Sequence, residues 1–128
     1  MGINSRLLEI ISNLEYPTVV EVGVAQAEGA LRILSLGNVR QYIGVDPWLR
    51  YEESPATEFS HGYLDRKMGL WSSQNEWDVV YERAKERIRP YSHKAKLIRA
   101  FSHEARDQID TDVDVVYLDG NHQYEYVL

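Results

Sequence analysis

Apolar residues recur at two different spacings along this chain, and the spacing changes wherever turn-forming residues stand. Ile3, Leu7, Leu8, Ile10, Ile11 and Leu14 return every three or four positions, which predicts an amphipathic helix over 4–15 that Pro17 ends. A β-branched run follows in Thr18-Val19-Val20-Glu21-Val22 and predicts a strand over 18–22 that runs into Gly23. Ala30 to Leu36 reads as a short helix stopped at Gly37-Asn38. Gln41 to Asp46 predicts a second strand, ended by Pro47, whose missing N–H cannot join a ladder. Helical spacing resumes from Trp77 to Tyr91 through Val80, Tyr81, Ala84 and Ile88. Ala95 to Ala100 predicts a third strand, and Ser102 to Ile109 a short helix with Ser102 as its N-cap. Asp114 to Gly120 is a fourth strand, after which His122 to Leu128 begins a helix.

Strands alternating with helices imply right-handed crossovers and a mostly parallel sheet. The expected fold is therefore α/β and Rossmann-like, with strand order 3-2-1-4 and flanking helices, in a single domain spanning 1–128. Residues 47–75 break the pattern with Pro47, Pro55, Gly62, Gly69 and many aromatics, and read as an insertion or lid with short helical turns. The chain stops about two turns into the last helix, so the fold is expected to be truncated after the fourth strand. That leaves strand four as an apolar edge of Val113, Val115, Val116, Tyr117 and Leu118. Such an edge invites pairing, and predicts a homodimer or higher oligomer joined near strand four and the C-terminal helix.

Composition narrows the class without naming a function. The chain has 128 residues, 44% apolar and 27% charged, with a net charge of −6. Lys and Arg read as scattered, so no nucleic-acid partner is expected. There is no cysteine, which fits a reducing compartment. The first helix mixes Asn4, Ser5, Arg6 and Glu9 among its apolar residues and is not a signal peptide, and no apolar run is long enough for a membrane span. The expectation is a cytoplasmic, soluble protein.

Candidate chemistry gathers at strand ends. Thr18 to Gly29 has the shape of the first strand-turn-helix unit of a nucleotide-binding domain, where ligands lie across the strand's carboxyl end. A pyrophosphate loop offers bare N–H groups to an anion. This one instead carries Glu21 and Glu28 and few glycines, as suits a nucleoside that is not anionic, for which S-adenosylmethionine is the candidate. Glu21 would either reach that ligand or fix the loop's backbone amides. Asp46, at the end of strand two, stands where an acid accepts ribose hydroxyls, the plainer alternative being a solvent-facing or capping carboxylate. Trp48 reads first as packing, although its ring is near enough to Asp46 to touch an adenine. Asp119 and His122, beyond strand four, are close enough to share a metal or to act as anchor and general base. Alternatively Asp119 or Asn121 caps the last helix. His61, His93 and His103 have no partner at a telling spacing.

Glu21-Val22-Gly23, Ile43-Gly44-Val45-Asp46-Pro47-Trp48, Ser102-His103-Glu104-Ala105 and Val116 to Tyr124, with its Asp119-Gly120-Asn121-His122-Gln123-Tyr124 core, fall in one order and spacing. Together they resemble a class I S-adenosylmethionine-dependent methyltransferase, of the small-molecule and sugar O-methyltransferase branch related to the macrocin O-methyltransferases. The resemblance implies transfer of a methyl group to a hydroxyl of a small-molecule acceptor. It implies that Glu21, Gly23, Ala25 and Gln26 line the methionine and ribose side, that Asp46 holds the ribose with Pro47 and Trp48 as further cofactor contacts, and that Ser102 lies near the adenine. Asp119 would be a cofactor contact and a ligand of a divalent metal such as Mg²⁺, and His122 the base that deprotonates the acceptor. The loop Val24-Ala25-Gln26-Ala27-Glu28 is poorer in glycine than the family's, and the family's later acidic segment that completes the metal site has no counterpart in these residues. A cofactor-binding module without catalysis is the alternative.

Overall fold

The computed structural model describes residues 5–49 and 73–118. They form a four-stranded, all-parallel sheet flanked by helices, a Rossmann-like α/β arrangement with strand order β3-β2-β1-β4. In chain order the elements are α1 (Ser5–Ser12), β1 (Thr18–Val22), α2 (Glu28–Leu34), β2 (Gln41–Val45), α3 (Gln74–Ile88), β3 (Ala95–Ile98), α4 (Ser102–Ala105) and β4 (Val115–Leu118). Short 3₁₀ turns follow α3 at Arg89–Tyr91 and α4 at Arg106–Gln108.

Strand alternation divides the core between the two faces of the sheet. On one face Val19, Tyr42 and Ala95 pack beneath Ile11 of α1, Ala30, Ile33 and Leu34 of α2, and Val80, Ala84 and Ile88 of α3. On the other, Val20, Ile43, Val45 and Ile98 pack with Ala105 of α4. The division follows from crossover handedness. The chain steps β1 to β2 to β3 in one direction with α2 and α3 on one face, then reverses past β1 to reach β4, which puts α4 on the other. The reversal makes the gap between β1 and β4 the topological switch point. Asp114 pins the start of β4, its Oδ2 accepting from the Thr18 N–H at 2.8 Å while its own N–H donates to the Thr18 carbonyl at 2.9 Å.

Helix α3 starts at Gln74, earlier than the apolar spacing suggested. Ser73 is its N-cap, the hydroxyl accepting from the Glu76 N–H at 3.2 Å, so polar capping sets the start before the first apolar residue of the face. Ser102 is the first helical residue of α4 and Phe101 takes the cap position, with the Glu104 carboxylate reaching back to the Phe101 N–H at 3.1 Å. The expected insertion at 47–75 and the expected last helix fall mostly or wholly outside the described residues.

Candidate functional site

Beyond β1 the chain makes a tight, backbone-bonded loop at the carboxyl end of the sheet. Gly23, Ala25 and Ala27 all take positive φ, at 99°, 49° and 71°. Every second residue of the loop is therefore left-handed, the conformation glycine enters without penalty and alanine only with strain. The Gly23 N–H donates to the Val45 carbonyl at 2.8 Å and the Ala27 N–H to the Val24 carbonyl at 2.9 Å. The loop sits against β2 rather than projecting from it.

Asp46 holds that loop. Its Oδ2 accepts from the Val24 N–H at 2.9 Å and the Ala25 N–H at 3.0 Å, and its Oδ1 accepts from the Trp48 N–H at 2.7 Å. The residue is buried. Burial pushes its carboxyl up from the ordinary value, against the pull of the three backbone bonds and of the Arg99 charge. Asp46 thus fixes the Val24 and Ala25 amides of the loop. Among the described residues Oδ2 is taken twice and Oδ1 once, which leaves one lone-pair direction on Oδ1 for a ligand hydroxyl.

Trp48 completes the clasp. Its φ is 47° and its side chain is fully buried, with the indole N–H donating to the Ala25 carbonyl at 3.0 Å and the ring 4.7 Å from that of Tyr81 on α3. In this arrangement the ring is a packing element and has no face open to an adenine. Its carbonyl accepts from Gln74 Nε2 at 3.0 Å and from Arg99 at 3.2 Å. Arg99 also reaches the Pro47 carbonyl, lies 4.7 Å from the Tyr81 ring centroid, and pairs with Asp78 at 2.5 Å. The Arg99 and Gln74 bonds hold the Asp78 carboxyl below its ordinary value.

Glu21 points beneath α2 rather than along the strand. It is 3% exposed, and its Oε1 accepts from the Tyr42 hydroxyl at 2.5 Å. Gly44 stands opposite Glu21 in the ladder, and a Cβ there would meet Tyr42 Oη, Val24 and Leu97 at under 3 Å. The missing side chain lets the Tyr42 ring run along the strand to Glu21. A Cβ on Gly29 would likewise lie 2.7 Å from Glu21 Oε2. Glu21 thus lies against the first turn of α2, where a helix favours negative charge. Burial, then the charges of Glu21 and Asp46, keep the Tyr42 hydroxyl protonated well above its ordinary range.

The structure therefore brings Ala25, Asp46 and Trp48 into one bonded cluster, with Gly23 beside it. Gln26 joins through its carbonyl, which accepts from Arg87 at 3.0 Å. Ser102 follows β3 at the same end of the sheet, two residues beyond Ala100, whose N–H donates to the Asp46 carbonyl at 3.2 Å. Asp119 and His122, with the proposed metal contact, lie outside the described residues. Among the described residues no group of three or more His, Cys, Asp or Glu is placed to hold a metal. Tyr42, Gln74 and Arg99 were not singled out from the sequence. The alternation of Tyr42 with Gly44 beside an acid-bearing strand was a usable signal for the first; nothing local marks the other two.

The Val24 and Ala25 N–H groups are taken up by the Asp46 carboxylate, so these two amides of the loop are not offered to a phosphate. No family model matches this chain, and no curated protein matches it. No helix among the described residues is long and apolar enough to cross a membrane.

Proposed function

We propose that this chain binds S-adenosylmethionine at the carboxyl ends of β1 and β2 and serves methyl transfer to a hydroxyl of a small molecule or sugar. The observation that carries the reading is the donation of the Val24 and Ala25 N–H groups to Asp46 Oδ2. These are amides of the turn that a dinucleotide fold turns toward pyrophosphate, and here an internal carboxylate already occupies them. Two buried acids, Glu21 and Asp46, make the neighbourhood anionic, which disfavours phosphate and favours a cationic ligand. The remaining lone pair of Asp46 fits one ribose hydroxyl.

When bound, the cofactor would supply an electrophilic methyl group. Positioning dominates such a displacement, and the clasp of Asp46, Trp48 and Arg99 provides a rigid floor for it. His122 would take the acceptor's proton and Asp119 would orient it or hold Mg²⁺.

Calorimetric titration with S-adenosylmethionine, its demethylated product, NAD⁺ and ATP separates the ligand classes. The reading expects heat from the first two, and heat from NAD⁺ or ATP alone overturns it. Methyl transfer from labelled cofactor to a panel of sugar and phenolic hydroxyls, with and without Mg²⁺, then tests the chemistry. Turnover lost in His122→Ala with binding retained is the expected result. Binding without turnover in the wild type leaves a cofactor-binding module in place of the enzyme.

A further inference from the structure

The two edges of the sheet carry opposite charge. Half of the chain's 14 basic residues stand between Arg83 and Arg99, a stretch with Glu86 as its one acid. The basic residues are therefore less scattered than a reading along the whole chain suggested. Glu104, Asp107, Asp110, Asp112 and Asp114 stand against a single cation, Arg106, in the segment leading into β4. Within the first stretch Lys85, Arg89 and Arg99 pair with Glu82, Glu86 and Asp78, and Arg87 donates to the Gln26 carbonyl, which leaves Lys94 and Lys96 as the basic residues of the β3 edge. The second stretch lies on the approach to β4, at the opposite edge.

The opposition holds row by row. The Tyr42 N–H donates to the Lys94 carbonyl and the Asp114 N–H to the Thr18 carbonyl, while Thr18 pairs with Gln41, so Lys94 and Asp114 enter their edges at one level. Lys96 pairs with Ile43, Ile43 with Val20, and Val20 with Val116, so Lys96 and Val116 share the next level and one face. Lys96, Asp110, Asp112 and Asp114 are all exposed. Val116 and Leu118 on that face are 58% and 42% exposed.

We propose that the chain associates head to tail with a second copy of itself, the β4 edge of one copy adding parallel to the β3 edge of the next. In that pairing Asp112 and Asp114 lie beside Lys94. Val116 meets the aliphatic stem of Lys96, which can cover apolar surface while its ammonium stays in water. The symmetric pairing through strand four that its apolar pattern suggested is antiparallel and sets Asp112 and Asp114 of the two copies at opposite ends of the contact, so neither it nor a β3–β3 pairing brings the acids of one edge to the lysines of the other. Only the pairing of unlike edges does so. A heterologous contact of this kind builds rings or open chains rather than a closed two-fold dimer.

Sedimentation velocity over a concentration series, at about 20 mM and about 0.5 M salt, reads the association where screening is weak and strong. The wild type is expected to form concentration-dependent oligomers at low salt, weakened at least about tenfold at high salt. Lys94→Glu/Lys96→Glu and Asp110→Lys/Asp112→Lys should each sediment as monomers, and an equimolar mixture of the two should associate again. Circular dichroism confirms the fold of each, and the single variants Lys96→Glu and Asp112→Lys carry the same comparison where a double variant does not fold. A monomeric wild type at low salt, assembly that survives both charge reversals, or a mixture that stays monomeric overturns the proposal.

Discussion

Replacing Asp46 by alanine tests whether the loop after β1 is held by that carboxylate. The substitution leaves the N–H groups of Val24, Ala25 and Trp48 without the acceptor they reach at 2.9, 3.0 and 2.7 Å. A hydrogen bond to a charged group contributes about 1.5–3 kcal/mol, and a buried donor left without a partner costs about 1–3 kcal/mol. The contributions do not add in full. The raised pKa of Asp46 shows that its burial is only partly offset by these bonds, and water entering the vacated space would recover some of them. A net loss of about 3 kcal/mol follows, a large part of the roughly 5–15 kcal/mol that stabilises a domain. Urea unfolding followed by circular dichroism measures it. Asp46→Asn, with one acceptor oxygen, should fall between alanine and wild type. The pH dependence has a definite sign. Because the folded-state pKa is raised above 3.8, the folded protein binds more protons than the unfolded chain between that value and the raised one. Asp46's contribution is therefore most favourable below the ordinary Asp value and declines as pH rises through the raised pKa, a component that Asp46→Asn should lack. An alanine variant within about 0.5 kcal/mol of wild type would refute the reasoning, since surface changes of no structural consequence fall in that range.

Tyr42→Phe should cost about 1–3 kcal/mol at neutral pH by leaving the buried Glu21 carboxylate without its hydroxyl donor. Because the Tyr42 pKa is raised above 10.0 in the folded state, wild-type stability should also fall as pH climbs past that value, a loss absent from the Phe variant in alkaline urea titrations. Ala25→Gly should raise stability by about 0.5 kcal/mol, since relief at φ 49° outweighs the added freedom of the unfolded chain; Ala25→Val should lower the thermal midpoint instead. Gly44→Ala should destabilise by about 1–3 kcal/mol, because its Cβ would overlap Leu97, Val24 and the Tyr42 hydroxyl, as denaturant midpoints would show. Trp48→Ala should cost about 3–5 kcal/mol by emptying a fully buried site, and should weaken cofactor binding through loss of the bond to Ala25.

The sequence by itself determined the strand-helix alternation, the parallel order of the four strands and the position of the loop after β1. Each of these follows from local period, turn residues and crossover handedness, which act over a few positions or as a rule on whole folds. It also marked Glu21 and Asp46 as strand-end acids. What those acids touch was decided only by the tertiary structure. Glu21 lies under α2 because alternation along β1 places it on the face that α2 covers, and because Gly29 and Gly44 leave room for it and for Tyr42. Asp46 bonds two amides that precede it by more than twenty residues because the β1–β2 ladder brings the two strand ends together. Trp48 is core rather than platform because Tyr81, Gln74 and Arg99, from two other elements, close around it. The opposed charges of the sheet edges arise the same way. Lys94 and Lys96 at β3 and the acids that lead into β4 are close in sequence but stand at opposite edges of the sheet once the chain crosses back past β1. Local pattern fixes which residues stand at strand ends, but partnership between distant side chains depends on packing, which no local period encodes.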